Sequence, residues 1–97
     1  MLESIIQSKI VNEAKKNGYT VLKVVKCNIN GFPDLTLFKD SLTIFIEVKN
    51  EKGIQSEIQK YVQKQLEKQG FKYYLVKSLE EFKQIIETYK EKLKSFT

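Results

Sequence analysis

The chain has 97 residues, a formal net charge of +5 at pH 7 and 41% hydrophobic residues, enough apolar material for one packed domain over residues 1–97. It contains no His, no Trp and one Cys, and all 17 basic residues are Lys because Arg is absent. These absences exclude imidazole-dependent catalysis, zinc sites built on His or several Cys, and arginine clamps on phosphate. Chemistry by carboxylate, Lys, Ser, Tyr and amide groups remains, with a hard cation as the metal that suits them.

The positive charge suits an anionic partner such as a nucleic acid or a membrane surface. A solvated, lysine-rich surface is the alternative explanation. A single Cys favours a reducing, intracellular setting. The first residues do not have the pattern of a signal peptide, and no apolar run approaches the roughly 20 residues of a membrane span. We therefore expect a cytoplasmic protein.

The first half of the chain predicts one helix and three strands. Apolar residues recur every four positions over residues 2–17 and indicate an amphipathic helix, which ends at Gly18. The β-branched residues 20–27 predict a strand, with Cys27 in the core or at a strand edge. Residues 32–38 and 42–49 predict a β-hairpin, with Asp40 and Ser41 in its turn.

The second half predicts two helices separated by a strand. Ser56 begins a helix that stops at Gly70, and Tyr61 lies on its apolar stripe and is expected in the core. Residues 71–76 predict a strand. Ser78 and Glu81 then fit a capping box at the start of the last helix. The order α-β-β-β-α-β-α predicts an α/β fold, with a mixed four-stranded sheet flanked by helices and the last two strands parallel.

The hairpin predicts a pair of facing carboxylates. Strand alternation places Glu47 and Lys49 on one face with Phe45, while the other face is apolar. A two-residue turn at Asp40 and Ser41 places Asp34 directly opposite Glu47, with Cβ atoms about 4.5–5.5 Å apart. Two like charges this close favour a cation between them, and oxygen ligands point to Mg²⁺ or Mn²⁺.

Two alternatives remain for this pair. Glu47 and Lys49 can form an ion pair on an exposed strand, with Asp34 as a turn residue after Pro33. A slip of the register by one residue would also move Asp34 to the other face. If the carboxylates do face each other, Lys49 is placed to orient or help deprotonate an attacking water, or to offset charge on a phosphate.

The spacing of these residues resembles a known signature. Gly31-Phe-Pro-Asp34 is followed, after twelve residues, by Glu47-Val-Lys49. This order resembles the PD-(D/E)XK nuclease signature. With the Gly-x-x-Ser-x-x-Gln pattern of residues 53–59, and segments near both ends of the chain, it resembles the small stand-alone VRR-NUC domains common in phages. The resemblance covers nearly the whole chain and implies a restriction-endonuclease-like fold.

The resemblance also implies roles for individual residues. Asp34, Glu47 and the backbone carbonyl of Val48 would be metal ligands, and Lys49 would be the catalytic lysine. Gln59 matches a helix glutamine beside the active site. Its alternative role is to cap the helix together with Ser56.

Glu3 matches a glutamate in the first helix that the superfamily often uses as an additional metal ligand. Related sequences often carry two acids one turn apart, and the second position is Gln7 in this chain. Glu3 can equally be a solvated acid that favours the helix dipole in the first turn.

The function implied by the resemblance is that of a Mg²⁺-dependent endodeoxyribonuclease, with Mn²⁺ as a substitute ion. A preference for branched DNA, as in a Holliday junction resolvase, is part of the same implication, and so is the host cell cytoplasm if a phage encodes the chain. We expect a homodimer, because one small domain offers little surface to such a substrate. The alternatives are a non-catalytic nucleic-acid-binding module, or a nuclease that acts on RNA or single-stranded ends.

Overall fold

The computed structural model describes residues 1–94, and from residue 91 onward it describes the helical backbone alone. In chain order the elements are α1 (Glu3–Lys16), β1 (Thr20–Lys23), β2 (Leu35–Lys39), β3 (Leu42–Val48), α2 (Glu57–Lys68), β4 (Lys72–Val76) and α3 (Leu79–Lys94). The predicted element order and the α/β fold class are therefore confirmed. None of the helices in the described range is long and apolar enough to cross a membrane.

The four strands form one mixed sheet in the order β1-β2-β3-β4. The β2–β3 pair is antiparallel and the β3–β4 pair is parallel, as predicted, and the β1–β2 pair is antiparallel. Asp40 and Ser41 form the hairpin turn with φ angles of 49° and 70°, the left-handed conformation that a two-residue turn of this kind requires. Leu35 pairs with Ile46, so the same register continued by one residue places Asp34 opposite Glu47.

Both faces of the central strands are covered. One face carries the main core, in which apolar residues of β2, β3 and β4 pack with α1 and α3: Ile6, Ile10, Ala14, Leu35, Leu37, Ile44, Ile46, Val48, Val76, Phe82 and Ile86. The other face of β3 presents Phe45 and Glu47, which are 7% and 1% exposed. Helix α2 lies on this second face, where its Gln59 side chain donates to Glu47. A charge buried there, such as that of Glu47, needs a partner.

The loop between β1 and β2 is longer than the sequence predicts. Strand β1 ends at Lys23 and not at Cys27, and β2 begins at Leu35 and not at Phe32. The Val24 N–H donates to the Asp34 carbonyl, and beyond this bond the chain leaves the sheet. Cys27 is consequently exposed on the loop, which corrects its expected place in the core or at a strand edge.

Helix α2 buries a narrower stripe than its sequence predicts. Val62 is buried, but Tyr61 is 62% exposed and Ile58 is 50% exposed. The expectation that Tyr61 lies in the core is therefore wrong. Val62 is the buried residue of α2, and Tyr61, its neighbour along the helix, lies away from the sheet.

The two predicted capping boxes have different outcomes. At α2, the Ser56 hydroxyl accepts from the Gln59 N–H and the Gln59 side chain accepts from the Ser56 N–H, which confirms the box. At α3, the Ser78 hydroxyl accepts from the Glu81 N–H, but the Glu81 carboxylate accepts from the N–H of Lys77. This second cap therefore closes one residue earlier than a capping box does.

Gly31 joins the β1–β2 loop to α2 by a close approach of two backbones. Its φ angle is +79°, and a Cβ added there would lie 3.0 Å from both the carbonyl carbon and the carbonyl oxygen of Ile58. No other residue type fits this position, because the conformation disfavours L side chains and the neighbouring atoms belong to the helix backbone. The contact holds the loop that ends at Asp34 against the first turns of α2.

Replacing Gly31 with Ala tests this contact, with Gly70→Ala as the matched control. Gly70 also has a positive φ, +92°, but an added Cβ would meet no atom within 4 Å. We expect Gly70→Ala to cost about 1–2 kcal/mol of unfolding free energy from backbone strain alone. Gly31→Ala should cost about 1–3 kcal/mol more, because α2 must move. Urea unfolding measures both, and equal losses would contradict the close approach.

Candidate active site

The structure brings the carboxylates of Asp34 and Glu47 together. Asp34 lies at the end of the β1–β2 loop, and its Oδ2 accepts a hydrogen bond of 2.8 Å from the Val48 N–H. Glu47 projects from β3 on the same face, with its side chain 1% exposed. The structure therefore contradicts the alternative in which the strand is exposed and Asp34 is only a turn residue.

The environment of Glu47 favours its protonated form. Burial raises the pKa of its carboxyl group first, and the charge of Asp34 raises it further. The charge of Lys49 and the contact of its ammonium group with Glu47 lower the pKa. The balance raises the pKa of Glu47 to about 7, so near neutral pH this side chain readily takes up either a proton or a cation.

Lys49 lies beside Glu47 at the end of β3. Its Nζ is 3.4 Å from Glu47 Oε2, and its side chain is 15% exposed. The loop after β3 folds back over the aliphatic part of Lys49, because a Cβ added to Gly53 would come within 3.0 Å of the Lys49 Cβ. The loop thus restricts the conformations of the Lys49 side chain and keeps its ammonium group beside the two carboxylates.

Gln59 caps α2 and also contacts Glu47, so its position agrees with both of the roles that the sequence left open. Its Oε1 accepts from the Ser56 N–H at 2.8 Å and completes the cap of α2. Its Nε2 donates to Glu47 Oε2 at 2.9 Å. One amide therefore ties the start of α2 to the buried carboxylate.

The oxygen atoms of this cluster fit a hard divalent cation. Within the described part of the chain, Glu47 Oε1 is buried and has no hydrogen-bond partner. An ionised buried oxygen without a partner is costly, and a cation shared with Asp34 removes that cost. The N–H of Val48 is bound to Asp34, which holds the main chain of Val48 beside the pair. Asp34, Glu47 and the Val48 carbonyl are thus a consistent set of oxygen ligands.

The structure does not bring Glu3 into this cluster. Glu3 is exposed in the first turn of α1. Among the side chains that the structure describes, residues 1–90, there is no group of three or more His, Cys, Asp or Glu that could hold a metal ion. The role of Glu3 as an additional ligand stays a prediction, and the alternative of a solvated first-turn acid agrees with its exposure.

Sequence reasoning missed a second layer of polar groups behind the site. Gln55 Nε2 donates to the Tyr73 hydroxyl at 3.1 Å and to Gln63 Oε1 at 2.9 Å. Burial raises the pKa of Tyr73, and the charges of Glu47 and Asp34 raise it further. The register of β3 and β4 would have indicated this position of Tyr73, because Tyr73 pairs with Phe45 and so lies on the same face as Glu47.

Solved structures with the same fold carry a common description. One structure described as "VRR_NUC domain" matches with a TM-score of 0.81 and 25% sequence identity, over 90% of this chain and 96% of that one. Another, described as "VRR_NUC domain protein", matches with a TM-score of 0.77 and 17% identity, over 92% of this chain and 88% of that one. No family model and no curated protein matches the sequence.

The raised pKa of Glu47 predicts that the metal-free chain loses stability as the pH rises. Between pH 4.5 and about 7 the folded chain keeps a proton that the unfolded chain has released. The contribution of Glu47 is therefore complete below pH 4.5 and is lost as the pH rises through about 7. Urea unfolding with a chelator should give a lower unfolding free energy at pH 8 than at pH 5.

Glu47→Gln should remove most of this difference, because glutamine does not titrate. Glu80→Gln is the control, since Glu80 is exposed in the first turn of α3 and should leave the difference unchanged. The same pH dependence in the Glu47→Gln variant as in the parent chain would contradict the assignment.

Proposed function

We propose that this chain, a member of the VRR-NUC family of nuclease domains, is a Mg²⁺-dependent endonuclease. The reaction is the hydrolysis of phosphodiester bonds in DNA. One observation carries the proposal. Asp34 and Glu47 face each other in a buried setting, Glu47 Oε1 lacks a partner among the described residues, and Lys49 stands beside them. Single-domain organisation over residues 1–97 is part of the same proposal.

Each residue has a defined task in this proposal. Asp34, Glu47 and the Val48 carbonyl would hold the ion, which when bound supplies Lewis-acid stabilisation of the phosphate and a more acidic water. Lys49 donates from its ammonium group, which orients the attacking water or offsets charge on a phosphate oxygen. Gln59 fixes the orientation of Glu47 through its 2.9 Å hydrogen bond. In-line attack with departure of the 3′ oxygen would leave products with a 5′-phosphate.

The composition of the chain supports recognition of DNA by its backbone and shape. All 17 basic residues are Lys, which attracts phosphate as a point charge. Without Arg the chain lacks the commonest bidentate contact to guanine in the major groove. A substrate distinguished by branching, such as a four-way junction, suits a protein of this kind better than a substrate distinguished by base sequence.

A homodimer is the proposed acting form. The described residues extend over 40 × 32 × 20 Å, and one turn of B-DNA is about 34–36 Å long. One copy therefore reaches about one turn, whereas two copies related by a two-fold axis present two sites to two strands. Exposed apolar side chains around α2, namely Ile54, Ile58 and Tyr61, offer a contact surface. Sedimentation of the free chain at several concentrations measures the association, and a monomer throughout would refute it.

Replacing Lys49 with Ala tests the enzyme proposal. Cleavage of DNA in Mg²⁺ should fall by at least about 100-fold, the usual scale for loss of a group that assists proton transfer. Lys52→Ala removes the same charge from an exposed position three residues later and should leave the rate near that of the parent chain. A gel assay measures cleavage, and circular dichroism checks that both variants are folded.

The substrate panel for this assay consists of continuous duplex, flap, four-way junction, single-stranded DNA and RNA. Cleavage of the junction or flap in preference to duplex supports the proposed selectivity. Cleavage of RNA or single-stranded ends alone would support that alternative nuclease activity instead. Binding without cleavage of any member in Mg²⁺ or Mn²⁺ would overturn the enzyme proposal in favour of a non-catalytic module.

The double role of Gln59 predicts that its two functions can be separated. Gln59→Glu keeps an acceptor for the Ser56 N–H but replaces the donor to Glu47 with a second acceptor. Cleavage should fall by at least about tenfold, the loss that about 1.4 kcal/mol produces, while α2 stays capped.

Ser56→Ala is the matched variant for the cap. It should lower the unfolding free energy by about 1 kcal/mol and leave the cleavage rate of the folded chain unchanged. Thermal unfolding and single-turnover cleavage measure the two effects. If Gln59→Glu retained the full rate, the contact with Glu47 would have no role in the reaction.

A further inference from the structure

A groove lies beside the candidate active site and plays no part in it. It is lined by residues 22–29 and Phe32, that is, by the end of β1 and the loop that follows, and has a volume of about 530 Å³. Pockets that hold small organic molecules span roughly 300–1,000 Å³. We call it the β1 groove. Its size suits one organic group and not a protein domain.

The β1 groove combines exposed apolar side chains with positive charge. Leu22 is 52% exposed, Val25 is 87% exposed and Ile29 is 48% exposed, although each is a large apolar residue. Lys23 and Lys26 project from the same segment and are exposed. Residues 18–33 contain no acidic residue in the sequence. An occupant with a flat apolar part and a negative charge matches this lining, and an unpaired nucleotide has both.

The groove is connected to the carboxylate pair by two contacts. The Val24 N–H, in the groove wall, donates to the carbonyl of Asp34 at 2.8 Å. The ring of Phe32 packs edge-on against Phe45 with centroids 5.6 Å apart, and Phe45 is two residues before Glu47 on the same face. A strand whose phosphate lies at the carboxylates thus has a neighbouring nucleotide within reach of the groove.

From these observations we infer that the β1 groove binds an unpaired nucleotide of the substrate next to the cleaved phosphate. The base lies against Ile29, Val25 and the Phe32 ring, and the neighbouring phosphates lie against Lys23 and Lys26. Bases in a continuous duplex are stacked and paired and cannot enter. This inference rests on the proposed nuclease function and deepens it, because it gives a physical reason for a preference for branched DNA.

Cys27 provides a direct probe of the groove. It is the only cysteine of the chain, it lines the groove and it is exposed, so N-ethylmaleimide should label it at one site. In Ca²⁺, which is used here to allow binding without cleavage, a forked duplex with unpaired arms should slow labelling of Cys27 by about fivefold or more. A continuous duplex at the same fractional saturation should slow it little. A fork whose arm nucleotides are abasic should not protect, because it keeps the phosphates but lacks the bases.

Two variants test the apolar contact independently of labelling. Ile29→Ser and Val25→Ser change exposed side chains, so both chains should fold. Each should weaken binding of forked DNA by about fivefold to tenfold, the scale of one stacked base, and leave binding of continuous duplex unchanged. Ile5→Ser is the control, since Ile5 is an exposed apolar residue of α1, which lies outside the groove lining.

The outcomes separate this inference from the proposed function. Cleavage of forked DNA in Mg²⁺, together with unprotected Cys27 and variants that bind like the parent chain, would overturn the groove inference alone. Protection and base-dependent binding without cleavage would leave the inference standing as a binding site and overturn the nuclease. Protection that grows with protein concentration in the absence of DNA, with a dimer in sedimentation, would show that a second copy covers the groove and would overturn the inference.

Discussion

The arrangement of this protein depends on one buried carboxylate. Glu47 lies in β3, an inner strand of the sheet, and is 1% exposed. Asp34 lies opposite it, and Lys49 and Gln59 both contact its Oε2. Burying a charged group costs several kcal/mol unless partners compensate it. The covering helix, the polar cap of that helix and the lysine at the strand end all act on this one group.

Much of this arrangement could be predicted from the sequence because it follows from local rules. The turn residues Asp40 and Ser41 set the hairpin register, and alternation along β3 then decided which face Glu47 occupies. Gly18 and Gly70 follow the ends of α1 and α2, and Ser56 and Ser78 precede α2 and α3. The hairpin turn, the helix ends and the cap of α2 are short-range constraints of this kind, and there the structure agrees with the prediction.

The remainder depends on tertiary contacts that local patterns do not encode. The burial of Glu47 could not be read from its strand, since alternation cannot tell whether a helix covers the second face. Tyr61 has the spacing of a core residue, yet it is exposed, because α2 buries the neighbouring Val62 instead. The Gln55–Tyr73 hydrogen bond joins two segments that are 18 residues apart. The loop after Lys23 carries β-branched residues but leaves the sheet at Val24.

The shared amide of Gln59 has a consequence for the connection between β3 and α2. Its two hydrogen bonds depend on the three-residue interval from Ser56 to Gln59 and on the seating of the helix over the strand. They do not depend on how many residues join Val48 to Ser56. A change in the length of this segment that leaves Gly53 and Gln55 in place therefore keeps Gln59 aligned with the carboxylate. One residue inserted between Ser56 and Gln59 would break the cap and the carboxylate contact together. The position of Gln59 relative to Glu47 therefore depends on the spacing of residues within the helix more than on the length of the segment before it.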